Sequence, residues 1–384
     1  PGRRVTPVSC ILLFMKTMLG DRMTRTPIAL LLVGLLLPSI GWAQGLATVA
    51  PTSVGLSEER LDRLAAIVQG YVDDQAIAGA VTLVARRGRQ AHIRAYGMAD
   101  REAGTPMRPD NIFRIASMTK PITSVAVLML YEEGHFKLND PIGQYLPALA
   151  SLDVLTASDD GDTFMRVPAE RPVTIRHLLT HTSGIGYRFL GDLGGTPRLR
   201  ALAELYGEAG VADGLAEHDG TIEELVNRLG DLPLLHEPGA AFSYGLSDDV
   251  LGRLVEVVSG TTFDEFLRTR LFEPLGMDDT FFYIPNAKAS RLASVYTPSA
   301  SGIAKVDGTV EGTHLVYSST YSTGSQRRNF SGGAGLSSTA HDYSRFLQML
   351  LNGGTLDRAR ILSPMTVALV TTDHIGDMPV GSIV

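Results

Sequence analysis

Ser117-Met118-Thr119-Lys120 sets a hydroxyl and an amine three residues apart, a spacing that places both on one face of a helix. A serine hydroxyl attacks a carbonyl only beside a base, and a lysine can serve where burial and the positive end of a helix disfavour its charged form. The chain has five lysines, so a chance match is open, and a capping serine beside a surface lysine has the same spacing. Location separates the two readings. Lys120 runs straight into Pro121-Ile122 and an apolar stretch, where an idle ammonium would be costly. Tyr244, in Phe242-Ser243-Tyr244-Gly245-Leu246, is the second candidate, carried on a loop between the turn Glu237-Pro238-Gly239 and a following helix. A phenol there can act as a general base if neighbouring cations stabilise its phenolate, and an ordinary half-buried tyrosine fits the same letters.

Two other patterns look chemical and read more simply as structure. His177 and His181 stand four apart, which suits a metal on one helical face. Leu178 occupies the place where a metalloprotease needs a glutamate, and Gly184 closes the segment, so hydrogen bonding at a helix end is the preferred reading. Gly332-Gly333-Ala334-Gly335 lacks the Gly-Lys-Ser/Thr of a phosphate loop and reads as a tight turn before a capped helix. No serine has glycine at both −2 and +2, so the nucleophile elbow of the α/β-hydrolases is absent.

The elements that must hold these side chains follow from periodicity and caps. Leu56 to Val72 reads as an amphipathic helix with Ser57 as N-cap. Ala78 to Ala85 and Ala91 to Tyr96 are strands joined by the polar turn Arg86-Arg87-Gly88-Arg89. After an extended stretch at Asn111 to Ile115 comes a helix over roughly Ser117 to Glu133, apolar nearly all round and therefore central. Further helices are expected at Thr174 to Thr180, Thr221 to Leu229, Asp248 to Val258, Thr262 to Leu271 and Ala340 to Leu351, the last with Thr339 and Asp342 in capping-box positions. Residues 296–330 are rich in Ser, Thr, Gly and Tyr without periodicity and read as a long loop.

Composition bounds the function classes. The 384 residues carry a formal net charge of −7, with 44% hydrophobic and 20% charged residues, which excludes a disordered chain or a disulfide scaffold. No basic block is present to neutralise phosphates, so nucleic acid is not an expected partner. From Met23, a basic Arg25, an apolar run from Ile28 to Ile40 and Gly41-Trp42-Ala43 before Gln44 form the pattern of a secretory signal peptide over 23–43. The run is too short for a spanning helix, which needs about 20 residues. Residues 1–22 then read as upstream translation, and the chain after residue 43 carries 29 basic and 40 acidic groups, a net of −11, with no cysteine. A periplasmic or extracellular bacterial address is expected, without disulfides or a thiolate metal site.

Several ordered segments carry a family resemblance. Phe113-Arg114-Ile115-Ala116-Ser117-Met118-Thr119-Lys120, Leu138-Asn139-Asp140-Pro141-Ile142, and Thr174-Ile175-Arg176-His177-Leu178-Leu179-Thr180-His181-Thr182-Ser183-Gly184 resemble the serine β-lactamase-like hydrolases. So do Pro238-Gly239 with Tyr244, Asp249-Val250-Leu251-Gly252, Pro274-Leu275-Gly276-Met277 and Gly333-Ala334-Gly335-Leu336-Ser337-Ser338-Thr339. The resemblance runs from about residue 52 onward and looks closest to the family VIII carboxylesterases, which are similar to class C β-lactamases. It implies an α+β fold, an antiparallel sheet flanked by helices with an inserted helical domain. The sheet part would take about 52–134 and 331–384, and the helical part about 135–330, within a domain over 44–384. It also implies that Ser117 is the acyl nucleophile, Lys120 its partner and Tyr244 the base. The Ser117 backbone N–H would supply half of an oxyanion hole, whose donors are commonly worth about 3 kcal/mol each to the transition state.

Two departures shape the expectation. Class C β-lactamases usually carry an asparagine two residues after the tyrosine, where this chain has Leu246. Losing that amide shifts the expected substrate from β-lactams toward simple esters. The family's third motif, on a C-terminal strand, is expected beyond the Thr371-Thr372-Asp373-His374 region. His374-Ile375-Gly376 matches its letters but comes early and reads as a helix end. The chain is accordingly expected to be a fragment lacking its last strands, one of which would hold the second oxyanion donor. The expected function is hydrolysis of short-chain carboxylic esters through an acyl-enzyme, with a small-molecule ester as partner. No metal, cofactor or nucleic acid is expected, nor membrane contact once the signal segment is removed. A β-lactamase or D-Ala-D-Ala-type peptidase and a non-catalytic acyl-binding relative stand as the alternatives, and the sequence does not speak to oligomeric state.

Overall fold

The two strands that alternation marks pair as an antiparallel hairpin, β1 (Gly79–Arg86) with β2 (Arg89–Asp100), and the short β3 (Thr105–Pro106) adds to the far edge of β2. The hairpin turns on Arg87 and Gly88, both in the left-handed region at φ 55° and 72°. Two consecutive left-handed residues match the right-handed twist of the flanking strands. These observations come from a computed structural model that describes residues 46–158, 163–192, 195–216, 218–300, 302–311, 316–324 and 327–380. The upstream segment 1–22 and the signal peptide 23–43 lie outside the described residues.

Helices flank this sheet and fill the space beyond it. The Glu58–Asp73 helix starts where Ser57 accepts from Arg60 N–H and packs on β2, and the Ala340–Leu351 helix packs on β1. The Thr119–Glu132 helix is central, with ten of its fourteen residues buried, so it has no solvent stripe to place. It packs against the Ser247–Ser259 helix, and Ile122, Val125 and Leu128 of the first share one apolar core with Val250, Leu251 and Leu254 of the second. Mixed helices and antiparallel strands give an α+β architecture.

Several expectations change in detail. Ser117 lies just ahead of the α-helix, on a 3₁₀ turn over Ala116–Met118, because Ala116 takes φ 43° and breaks the helical run there. The expected Thr262 to Leu271 helix forms and runs on to Leu275, α-helical over Phe263–Leu267 and Glu273–Leu275 with a π turn over Arg268–Phe272 between them, where Pro274 has no amide for the regular ladder. Residues 296–330 are not one long loop. They hold two small hairpins, Tyr296–Ser299 with Gly302–Lys305 and Thr309–Glu311 with Val316–Ser318. Strands of three or four residues are too short to show alternation, which is why composition alone suggested a loop. The hairpin Asp153–Ala157 with Phe164–Pro168 and the helices Arg188–Asp192 and Pro197–Glu208 are likewise absent from the sequence reading.

The expected capping box at 339–342 is only half formed. Thr339 Oγ1 accepts from Asp342 N–H at 3.1 Å, but the Asp342 carboxylate turns away to accept from Asp279 N–H at 2.7 Å and Thr280 Oγ1 at 2.9 Å. Burial, the largest influence, pushes the Asp342 carboxyl up to about 6, against the two hydrogen bonds and with the charges of Asp279 and Asp278. A carboxyl that holds its proton more tightly when folded contributes stability below its unfolded value of about 4, and that contribution is lost as pH rises through 6. Asp342→Asn stays neutral throughout. Its urea midpoint relative to the parent protein therefore rises between pH 5 and pH 7.5, and an unchanged difference would contradict the burial argument.

Candidate active site

Backbone pairing brings the nucleophile candidate against the glycine-rich turn. Phe113–Arg114 pairs antiparallel with Ser337–Ser338, Ile115 N–H donates to Leu336 O at 3.0 Å, and Leu336 N–H donates to Thr119 Oγ1 at 3.2 Å. Thr123 Oγ1 donates to Gly332 O at 2.8 Å, so the turn over 331–335 is tied to the first turns of the central helix. Ser117 is exposed at this junction while Lys120, three residues on, is buried. The preceding Ala116 has a backbone conformation unusual for a residue with a Cβ, a strain that surrounding contacts must hold.

The loop carrying Tyr244 is pinned by a second set of backbone bonds to the 181–186 stretch. Ser243 N–H donates to His181 O at 2.8 Å, Gly239 N–H to Thr182 O at 2.7 Å, and Leu235 N–H to Gly184 O at 2.8 Å. The two chains approach so closely at Gly245 that a Cβ there would lie 2.0 Å from Ile185 O. Only glycine fits beside the tyrosine. His181 takes φ 53°, and its ring packs 5.1 Å from that of Tyr244.

These two anchored segments converge on Lys120. Its Nζ donates to Gly333 O at 2.8 Å, to Tyr187 OH at 3.0 Å and, at 3.4 Å, to Ser117 Oγ. Three acceptors for three protons is the environment of an ammonium. Tyr244 OH lies 2.6 Å from Ser117 Oγ, and the Lys120 ammonium stands 4.7 Å from the centre of the Tyr244 ring. Ser117, Lys120 and Tyr244, 127 residues apart at the extremes, are thus one hydrogen-bonded group. The Ser117 amide belongs to the first turn of a helix, where N–H groups lack intrahelical partners.

Residues that the sequence reading did not single out complete the site. Tyr187 is 2% exposed, and burial, followed by the charges of Asp249, Tyr244, Asp248 and Asp213, pushes its phenol well above the ordinary range, so it serves Lys120 as a neutral acceptor. Asp249 is wholly buried and accepts from Ser331 Oγ at 2.6 Å. Gly184-Ile185-Gly186-Tyr187, a tyrosine reached through two glycines directly after the His181-Thr182-Ser183 segment, was the available signal for the first. The paired Asp248-Asp249 in one helical first turn was the signal for the second.

The remaining candidates have separate tasks. His177 closes a capping box with Thr174, whose N–H donates to His177 Nδ1 at 3.3 Å, while His181 Nε2 faces Asp248 Oδ2 at 3.2 Å. Among the described residues no group of His, Cys, Asp and Glu gathers as a metal ion would require. His374 Nε2 meets Leu369 O at 2.8 Å, at the end of the Pro364–Val370 helix, which is the helix-end reading. A cavity of about 200 Å³ behind the glycine-rich turn is lined by Tyr283, Tyr321, Asn329 and Ser331 among others, and touches none of Ser117, Lys120 and Tyr244. It is not the place where Ser117 would meet a substrate.

Comparison with known proteins identifies the family. Residues 64–380 match the family model described as Beta-lactamase. Protein Rv1367c of Mycobacterium tuberculosis is 37% identical over 319 residues, covering 83% of this chain and 73% of that protein. Esterase EstB of Burkholderia gladioli is 38% identical over 251 residues, covering 65% of this chain and 58% of the esterase. The solved structure of EstCE1, described as a hydrolase with promiscuous acyltransferase activity, superposes with a TM-score of 0.67 at 30% identity, covering 80% of this chain and 76% of that one. By the extent of the match and the shared α+β fold, the chain belongs to the beta-lactamase family.

Proposed function

We propose that the protein is a serine hydrolase of short-chain carboxylic esters that works through an acyl-enzyme on Ser117. The observation that carries this reading is the 2.6 Å approach of Tyr244 OH to Ser117 Oγ with the Lys120 ammonium beside both. Tyr244, as phenolate, takes the Ser117 proton while Oγ attacks the ester carbonyl, and Lys120 offsets the negative charge as it moves. The tetrahedral oxyanion is received by the Ser117 N–H. Tyr244 then returns its proton to the departing alkoxide, leaving the acyl group on Ser117. Water repeats the sequence, giving its proton to Tyr244 and its oxygen to the acyl carbon, and the acid leaves as Ser117 recovers its proton.

The choice of esters over β-lactams is supported by Leu246 as well as by the esterase names among the relatives. Leu246 is wholly buried and its N–H donates to Gly186 O, so no polar side chain is presented two residues after Tyr244 to hold an amide carbonyl. The signal-peptide pattern over 23–43 supports a further proposal, that the protein is exported to the periplasm or beyond. Fusion of residues 23–43 to a reporter that is active only outside the cytoplasm tests it.

Ser117→Ala is expected to lower p-nitrophenyl butyrate hydrolysis by roughly 10⁴-fold or more. It should also abolish labelling by a fluorophosphonate probe, read as the loss of the intact-mass adduct; retained activity would sink the acyl-enzyme. Tyr244→Phe should keep the fold and cost roughly 10² to 10⁴ in kcat. A chromogenic cephalosporin should turn over much more slowly than p-nitrophenyl butyrate, and comparable rates would move the assignment to a β-lactamase.

A further inference from the structure

The Lys120 ammonium is buried with three neutral oxygens around it, and among the described residues no carboxylate is in ion-pair contact with its Nζ. Hydrogen bonds alone hold a buried charge poorly, because its field is not cancelled. The wholly buried Asp249 carboxylate feels the charge of Lys120, which works against its burial. Asp249 carries its own unresolved cost. It is 0% exposed, Ser331 Oγ donates to Oδ1, and Oδ2 has no hydrogen-bond partner.

One residue, Gly333, lies between the two charges and meets them through two successive peptide groups. Gly333 O accepts from Lys120, and Gly333 N–H faces the Asp249 carboxylate. A Cβ on Gly333 would lie 2.6 Å from Asp249 Oδ2 and 2.7 Å from Tyr187 OH, so glycine lets the three groups close around the turn.

The groups facing this pair come from every neighbouring element. Asp248 precedes Asp249 on the same helix and faces His181. Tyr187 and Tyr244 stand on the two pinned loops, both over Lys120. Asp213, from the stretch after the Pro197–Glu208 helix, accepts from Arg188 N–H and feels the charge of Asp249. Burial first, and Asp248 among the charges, pushes the Asp249 carboxyl up to about 6, against Ser331, Lys120 and Gly333. It is therefore ionised through neutral and alkaline pH.

We propose that Asp249 is the positioning residue and counter-charge of the Lys120 ammonium, acting across Gly333, and so sets the alkaline limb of ester hydrolysis. The proposal rests on the Ser117, Lys120 and Tyr244 reading. It also gives a reason for keeping a buried carboxylate that destabilises the fold: it holds the proton that Lys120 uses to steady Tyr244 and Ser117.

The test is the pH profile of kcat/KM for p-nitrophenyl butyrate in the parent protein, Asp249→Asn and Asp249→Ala, with the rate of fluorophosphonate labelling of Ser117 as a second readout. In Asp249→Asn the alkaline limb should begin roughly one to three pH units lower, as expected for loss of a nearby opposite charge. KM should stay within about twofold, because no substrate contact changes. Asp249→Ala, which removes the same charge without leaving an amide, should move the limb the same way. A folded, active Asp249→Asn with an unmoved alkaline limb overturns the proposal. If that variant does not fold, an unmoved limb in Asp249→Ala overturns it instead. Failure of the underlying reading looks different, as the parent protein would then take no label on Ser117.

Discussion

An ammonium inside an apolar helix needs an acceptor for each of its protons, and supplying three of them to Lys120 organises the rest of the molecule. One acceptor comes from its own helix entry, Ser117; one from the loop after Ser183, Tyr187; and one from the turn before Ser337, Gly333. These segments are far apart in sequence, so the lysine is satisfied only when all three are in place. Leaving any one acceptor out would strand a proton of a buried cation, at a cost well above that of an ordinary lost hydrogen bond. The demand that makes the site expensive is the same demand that makes its geometry single-valued.

Close backbone approach does the remaining positioning. The Tyr244 loop runs against residues 181–186 through main-chain bonds, and Gly245 touches Ile185 O. The turn at 331–335 is held to the central helix through Thr119 and Thr123, again with main-chain acceptors or donors on one side. Main-chain contacts hold position more tightly than long side chains because fewer torsions must be fixed. Each proposed participant in catalysis therefore stands on a segment whose backbone is already fastened.

Legibility in the sequence follows from which of these constraints leaves a mark on residue type. The central helix is plain because burial on all sides demands apolar letters at every position, and the break at Lys120 stands out against them. The capped helices at 174–180, 221–229 and 340–351 are plain because Thr before a periodic run has a local mechanism. The hairpins within 296–330 leave no such mark, since three or four paired residues bury little and can be nearly any polar type. Tyr187 and Gly333 are hidden for another reason. One acts through a phenol and the other through a carbonyl that every residue owns, and only the fold reveals that both point at one nitrogen. Asp342 shows the converse, with letters that spell a capping box and a carboxylate recruited by Asp279 N–H across the chain.

The placing of charge around Lys120 also decides how the cation is used. Asp249 stands on the far side of Gly333, whose C=O accepts from Nζ and whose N–H faces the carboxylate. A direct bridge between the two side chains would draw Nζ back from Ser117, so a contact ion pair would satisfy the lysine and disarm it. Separation by one residue leaves one proton of the ammonium aimed at the nucleophile and its charge beside Tyr244.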